Sequence, residues 1–136
     1  MVALDAWYDH DGPTRVTTAA ELDAVLDTVA AMSGPTLVAF NAADDPASAG
    51  LLNVGLDAER GVGVVHHAGR GRGYFSLGEA SNVDTMLYYY MGSDTEFPPQ
   101  SEIPVADVRR AAHEYFVNGA LPASVIRWQR DERSTV

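Results

Sequence analysis

The sequence predicts an α+β fold, in which two amphipathic helices pack against a mainly antiparallel sheet of about six to seven strands. Apolar residues follow helical spacing in two segments, one near each end of the chain. Between these segments lie short apolar runs separated by turn residues. Because the connections between these runs are too short for parallel crossovers, the strands should form an antiparallel meander.

The first elements are a strand and a helix. Residues 3–9 form the expected first strand. Thr18 and Glu21 have the spacing of a capping box, in which the threonine hydroxyl accepts from an amide of the first turn and the glutamate reaches back. Apolar residues then recur at helical spacing until Gly34-Pro35, which ends the pattern. We therefore expect the first helix to cover residues 18–32.

Five strands are expected in the middle of the chain. Glycine-containing turns at 57–61 and 69–73 separate some of them, and a polar loop at 41–50 separates two others. A glycine in each turn can adopt the positive φ that hairpin connections need. The expected strands cover residues 36–40, 51–56, 61–66, 73–77 and 84–91.

The last elements are a second helix and a final strand. The helix is expected over residues 105–118, because its apolar residues lie on one helical face. Pro104 suits the first helical position, where its missing amide does no harm, and Gly119 suits the position just after the helix. A strand over residues 124–129 completes the order β-α-β-β-β-β-β-α-β.

Length and composition indicate one cytoplasmic domain. A chain of 136 residues has the usual size of a single domain, and we expect residues 1–136 to form it, with a frayed tail over 130–136. The chain has no cysteine, which excludes disulfides and thiolate metal sites. The sequence has no apolar run near the ~20 residues of a membrane helix, and its first residues lack a signal-peptide pattern.

The charge balance favours a basic partner over nucleic acid. Nineteen acidic residues against nine arginines give a net charge of −10. Such acidity is common in soluble proteins, where it increases solubility, and it also attracts basic partners. Direct binding to nucleic acid needs lysine and arginine clustered on one face, and the arginines near 69–73 are better explained by a turn.

The sequence predicts no catalytic residue, no metal site and no cofactor. His66 and His67 are adjacent on an expected strand, so they point to opposite faces and cannot easily share a metal ion; one should lie near the core and the other in solvent. His113 has no histidine four residues later, so the zinc-helix motif is absent. The glycine-rich segments do not lead from a strand into a helix, so they do not cradle phosphate.

The segment from Glu96 to Pro104 contains three prolines, which stiffen it, and a carboxylate near each end. Glu96 and Glu102 have three interpretations: caps of the second helix, contacts to a partner, or an acid–base pair. In the preceding strand, Tyr89 should point to one face and Tyr88 and Tyr90 to the other. At least one ring should be core, and an outward ring is a candidate partner contact.

The chain resembles the Imm1 family of bacterial immunity proteins over about residues 35–130, most strongly in the last third. The segments that carry the resemblance are 51–56, 96–104, 105–116, 119–122 and 125–129. The resemblance implies a non-catalytic protein of a polymorphic toxin system. Such a protein binds and neutralises a toxin that is encoded beside it and is often a nucleic-acid deaminase. The resemblance assigns no role to individual residues.

Charge and resemblance together give a hypothesis about the partner. A toxin that acts on nucleic acid should have a basic cleft, which an acidic face can occlude. The predicted partner contacts are the carboxylates Asp94, Glu96 and Glu102 and the rings Tyr88, Tyr89 and Tyr90. Homodimerisation through an exposed sheet edge is compatible with this hypothesis.

Two alternatives belong to other functional classes. A small-molecule-binding or regulatory domain would need a deep apolar cavity, with Trp7, Tyr74 and Trp128 as its expected walls. A hydrolase or isomerase would need Glu96 and His113 to converge in a cleft.

Overall fold

The computed structural model describes residues 2–45, 48–69, 72–78, 85–122 and 124–131, which form an α+β fold with ten strands and two helices. The fold class is as predicted, whereas the strand count is higher. The elements are β1 (Leu4–Trp7), β2 (Thr14–Val16), α1 (Ala19–Ala30), β3 (Thr36–Ala42), β4 (Leu51–Asp57), β5 (Val62–Gly69), β6 (Arg72–Ser76), β7 (Met86–Tyr90), β8 (Ser93–Phe97), β9 (Ile103–Pro104), α2 (Val105–Asn118) and β10 (Trp128–Arg130).

The centre of the sheet is the predicted antiparallel meander. Strands β3, β4, β5 and β6 pair in chain order, within the longer path β10-β6-β5-β4-β3-β1-β2. Val38, Val54 and Val65 lie directly opposite one another across three strands, and all three are fully buried. Such β-branched cross-strand neighbours stabilise the sheet and fix its register.

Both helices pack on one face of this sheet. At the start of α1, Thr18 and Glu21 form the predicted capping box. Helix α2 covers the predicted residues 105–118. Gly119 follows it as the cap residue, with a left-handed φ of 63°. Pro104 was predicted to suit the first position of the helix. It is instead the cap residue, and the helix begins at Val105. No helix in the described ranges has the length and apolarity to cross a membrane.

A hairpin of β7 and β8 covers the opposite face of the sheet. The residues buried beneath it form a second, smaller core of Leu37, Val64, Phe75, Tyr88 and Phe97. The hairpin joins the sheet where β7 pairs with β3 in parallel, at Tyr89 and Thr36. This part of β3 extends beyond the residues that pair with β1. The sequence did not predict this covering layer, because Ser93–Phe97 was not recognised as a strand.

The proline-rich segment 96–104 is fixed to neighbouring strands through its carbonyl groups. The carbonyl of Ser101 accepts from the Ser76 hydroxyl at 2.6 Å, and the carbonyl of Pro99 accepts from the side-chain amide of Gln129 at 3.3 Å. Gln129 therefore links the two parts of the chain that carry the family resemblance most clearly. These hydrogen bonds hold the chain in place shortly before α2 begins.

The remaining boundaries differ from the predictions at the ends of the chain. The final strand, β10, begins at Trp128 instead of residue 124 and includes Arg130, which was expected in the frayed tail. The middle of the turn at 69–73, Asp84 of the strand expected at 84–91, and residues 132–136 of the tail lie outside the described residues.

Candidate partner-binding face

The outward side of the β7–β8 hairpin joins apolar and acidic side chains. Leu87 lies opposite Glu96 and Tyr89 lies opposite Asp94, so these four side chains share one face. Leu87 is 54% exposed and Tyr89 is 50% exposed, and both carboxylates are also exposed. We call this set of four residues the hairpin face.

The two carboxylates of the hairpin face are available to a partner. Among the described residues, neither Asp94 nor Glu96 takes part in an ion pair. The arginines of the described chain that form ion pairs bind other carboxylates. Large apolar side chains surrounded by charge are typical of protein–protein contact sites.

Tyr88 and Glu102, two of the predicted contact residues, belong to an internal network. Tyr88 is fully buried and its hydroxyl donates to Glu102 Oε2 at 2.8 Å. The guanidinium of Arg60 donates to both oxygens of Glu102, at 3.0 and 2.5 Å, and its Nε donates to Asp57 at 2.6 Å. We call these four residues the Arg60 network.

The Arg60 network corrects two predictions about its members. Burial raises the pKa of Tyr88, and the hydrogen bonds to Glu102 raise the pKa of Arg60. The Tyr88 ring is not available at the surface, and the Glu102 side chain is only 9% exposed, with both of its oxygens bound by Arg60. Glu102 does not cap α2 either, since the cap residue is Pro104 and the oxygens of Glu102 bind Arg60 and Tyr88. Tyr90 is half-buried against the second core, and burial raises its pKa.

A comparison with protein-family models matches residues 10–130 to immunity protein Imm1. The chain belongs to the Imm1 family. The match includes both helices, the hairpin face and the Arg60 network. Family membership makes this an immunity protein directed against a toxin, and such proteins are generally non-catalytic. A search of curated proteins finds no match.

The hairpin of this Imm1 protein turns through Met91 and Gly92. Both have positive φ, 47° and 94°, as a two-residue type I′ turn requires. Glycine adopts this conformation readily, whereas a methionine there is strained by roughly 1 kcal/mol. The sequence lacks the usual Asn-Gly signal at this turn, which is why the hairpin was not predicted.

Replacing Met91 by asparagine should stabilise the Imm1 protein by about 0.5–1 kcal/mol, because asparagine tolerates positive φ better than methionine. Urea unfolding measures the change. Met91→Leu is the matched control and should give no gain, since leucine is strained in the same way. Equal stability of the asparagine and leucine variants would show that the turn is not strained.

The two adjacent histidines point to opposite faces, as predicted. His67 Nε2 lies 2.9 Å from the carbonyl of Ala49, and burial lowers the pKa of this imidazole. The ring nitrogens of His66 lie 3.2 Å from Asn53 Nδ2 and 3.2 Å from Asp131 Oδ2. The expectation that one ring would be solvated is wrong, because His67 is 8% exposed and the His66 side chain 15%.

The residues of the acid–base alternative do not converge. His113 lies on α2 and binds Asp23 of α1 at 2.8 Å, and this hydrogen bond lowers the pKa of Asp23. Glu96 lies on the hairpin that covers the other face of the sheet. Within the described ranges, no group of three or more His, Asp and Glu side chains could hold a metal ion.

The aromatic residues of the ligand-binding alternative line none of four cavities found among the described residues. The described part of the protein has cavities of about 600, 320, 220 and 180 Å³, and their walls contain neither Trp7, Tyr74 nor Trp128. The indole of Trp7 donates to Asn41 at 2.7 Å, and that of Trp128 donates to the carbonyl of Pro122 at 3.1 Å.

Proposed function

We propose that this Imm1 protein neutralises a nucleic-acid-targeting toxin of the deaminase class by laying the hairpin face over the basic cleft of the toxin. The observation that supports this proposal is the pairing, on one exposed face, of two carboxylates with two large apolar side chains. A toxin that grips nucleic acid needs a positively charged groove. The net charge of −10 adds long-range attraction to such a groove.

The charged and apolar residues of the hairpin face have different tasks. Asp94 and Glu96 attract the basic surface and raise the association rate. Tyr89 and Leu87 are already half-covered, so burying the rest contributes roughly 1 kcal/mol each. Because a stable complex buries about 800 Å² on each partner, surrounding residues must complete the interface.

The hairpin face is held in place before the partner arrives. Tyr88 and Phe97 on the inner side of the hairpin are at most 1% exposed and pack against the sheet. Tyr88 is also a member of the Arg60 network, since its hydroxyl donates to Glu102. A preformed face loses less conformational entropy on binding than a mobile loop, which leaves more of the interaction energy as affinity.

Binding to a catalytically inactive form of the toxin domain encoded beside the gene tests the proposal. The double variant Asp94→Asn/Glu96→Gln should bind at least about tenfold more weakly, which is about 1.4 kcal/mol. Its association rate should also depend less on salt, because steering by these carboxylates is lost. Dissociation constants at several salt concentrations give both quantities.

The matched control is Asp44→Asn/Asp45→Asn, which changes the net charge equally on an exposed loop. This variant should bind within about twofold of the parent protein. If the two double variants lose equal affinity, the overall negative charge explains binding, and the hairpin face has no part in it. Complete lack of binding to the neighbouring toxin domain would overturn the proposed function.

Homodimerisation stays a separate prediction, which light scattering tests.

A further inference from the structure

We infer that a cavity beside the hairpin face receives an arginine side chain of the partner; this inference rests on the proposed function. The cavity measures about 220 Å³ and lies where the proline-rich segment passes β6 and β10. We call it the Glu96 cavity. Its walls include Phe75, Glu96, Pro98, Pro99, Gln129 and Asp131.

The size of the Glu96 cavity suits a single side chain. Sites for small molecules usually measure about 300–1,000 Å³, so this cavity is too small for most cofactors or metabolites. Pockets that receive one anchoring side chain are typical of the energetic centre of protein interfaces. The cavity is also preformed, because Gln129 holds the Pro99 carbonyl at 3.3 Å.

The chemistry of the walls selects a cation with an apolar stem. Most of the wall is apolar, and Phe75, Pro98 and Pro99 contribute to it. Among the described residues of the wall, Glu96 and Asp131 are acidic and Arg130 is basic.

Arginine fits this combination better than lysine. Its methylene stem can pack on the apolar wall while its planar guanidinium pairs with a carboxylate through two hydrogen bonds. The ammonium of lysine is more strongly hydrated and lacks the planar fork. The exposed carboxylate of Glu96 is the expected partner. Asp131, whose carboxylate lies 3.2 Å from His66 Nε2, is a second acidic residue of the wall.

Glu96 therefore has two tasks, whereas Asp94 has one. Asp94 lies on the hairpin face outside the cavity, so neutralising it should mainly slow association. Glu96 also holds the inserted arginine, so neutralising it should mainly speed dissociation.

A titration of the isotope-labelled protein with Nα-acetyl-arginine N-methylamide tests the cavity without the toxin. Saturable amide shifts are expected at Phe75, Glu96, Gln129 and Asp131, with a dissociation constant in the millimolar range. Glu96→Gln should abolish them, whereas Asp44→Asn should not. The citrulline analogue, which is uncharged, should give no shifts, and the lysine analogue should bind more weakly. Shifts that are absent, lie elsewhere or appear equally with the citrulline analogue would overturn the inference.

Stopped-flow kinetics with the inactive toxin domain separate the inference from the proposed function. Glu96→Gln should raise the dissociation rate about tenfold or more, and Asp94→Asn should lower the association rate with little change in dissociation. If both variants change only association, the arginine site is overturned and the proposed function stands. If the toxin domain does not bind at all, the proposed function fails, and the arginine titration decides the cavity by itself.

Discussion

Replacing Phe97 by alanine is expected to lower the free energy of unfolding by about 3–5 kcal/mol. Phe97 is 1% exposed and packs edge-on against Phe75 at 5.4 Å and Tyr88 at 5.6 Å between ring centroids. These rings belong to the small second core. Few neighbouring side chains there could move into the space that the Phe97 ring leaves when it is removed. The hairpin should therefore detach from the sheet before the sheet itself unfolds.

Urea unfolding gives the total loss, and hydrogen exchange shows where it occurs. In the Phe97→Ala variant, the amides of β7 and β8 should exchange far faster than those of β4 and β5. Phe116→Ala is the matched control, because Phe116 is equally buried but packs in the core under the helices. That variant should lose similar stability and keep the hairpin amides as protected as the central strands. Similar hairpin protection in both variants would contradict the separate role of the second core.

The helices could be predicted almost to the residue, because their signals are local. In α1 the capping box and the apolar spacing lie within a few turns of each other. In α2 the apolar face runs to the left-handed Gly119, which marks the end. Neither signal, however, reveals which face of the sheet a helix covers. That choice depends on contacts between residues far apart in the chain.

The strands that were missed are short or lack an apolar pattern. Strands β2 and β9 contain three and two residues, too few for any periodicity to show. In β8 the single large apolar residue is Phe97, and the residues that point outward are polar. A strand of this kind becomes visible only when its partner β7 is known.

The sequence predicts that neighbouring side chains of the candidate site point to opposite faces of the strand. It does not predict which of the two faces is exposed. The tyrosine run correctly placed Tyr89 on one face and Tyr88 on the other, since strand periodicity fixes that relation. Which face is buried depends on how the hairpin packs on the sheet. That packing involves residues far away in the chain, so local sequence does not predict it. The role of Glu102 was hidden for the same reason: Arg60 lies 42 residues away in the chain.

Replacing Arg60 by alanine is expected to lower the free energy of unfolding by about 2 kcal/mol. The change leaves the carboxylates of Asp57 and Glu102 close together, 6% and 9% exposed, without their shared cation. Removing one member of a fully buried pair costs about 3–5 kcal/mol, and the 51% exposure of the Arg60 side chain reduces that figure. Urea unfolding at neutral pH measures the loss.

Two further variants show whether the loss arises from the uncompensated charges. Adding Glu102→Gln to Arg60→Ala should recover part of the stability, because the amide oxygen still accepts from Tyr88 and one buried charge is gone. Arg110→Ala is the matched control: Arg110 is 65% exposed and pairs with Asp107 on the surface of α2, so its loss should cost at most about 0.5 kcal/mol. If Arg60→Ala costs no more than Arg110→Ala, the uncompensated carboxylates of the Arg60 network do not destabilise the protein. High salt should leave most of the Arg60 effect in place, since buried charges are screened less than exposed ones.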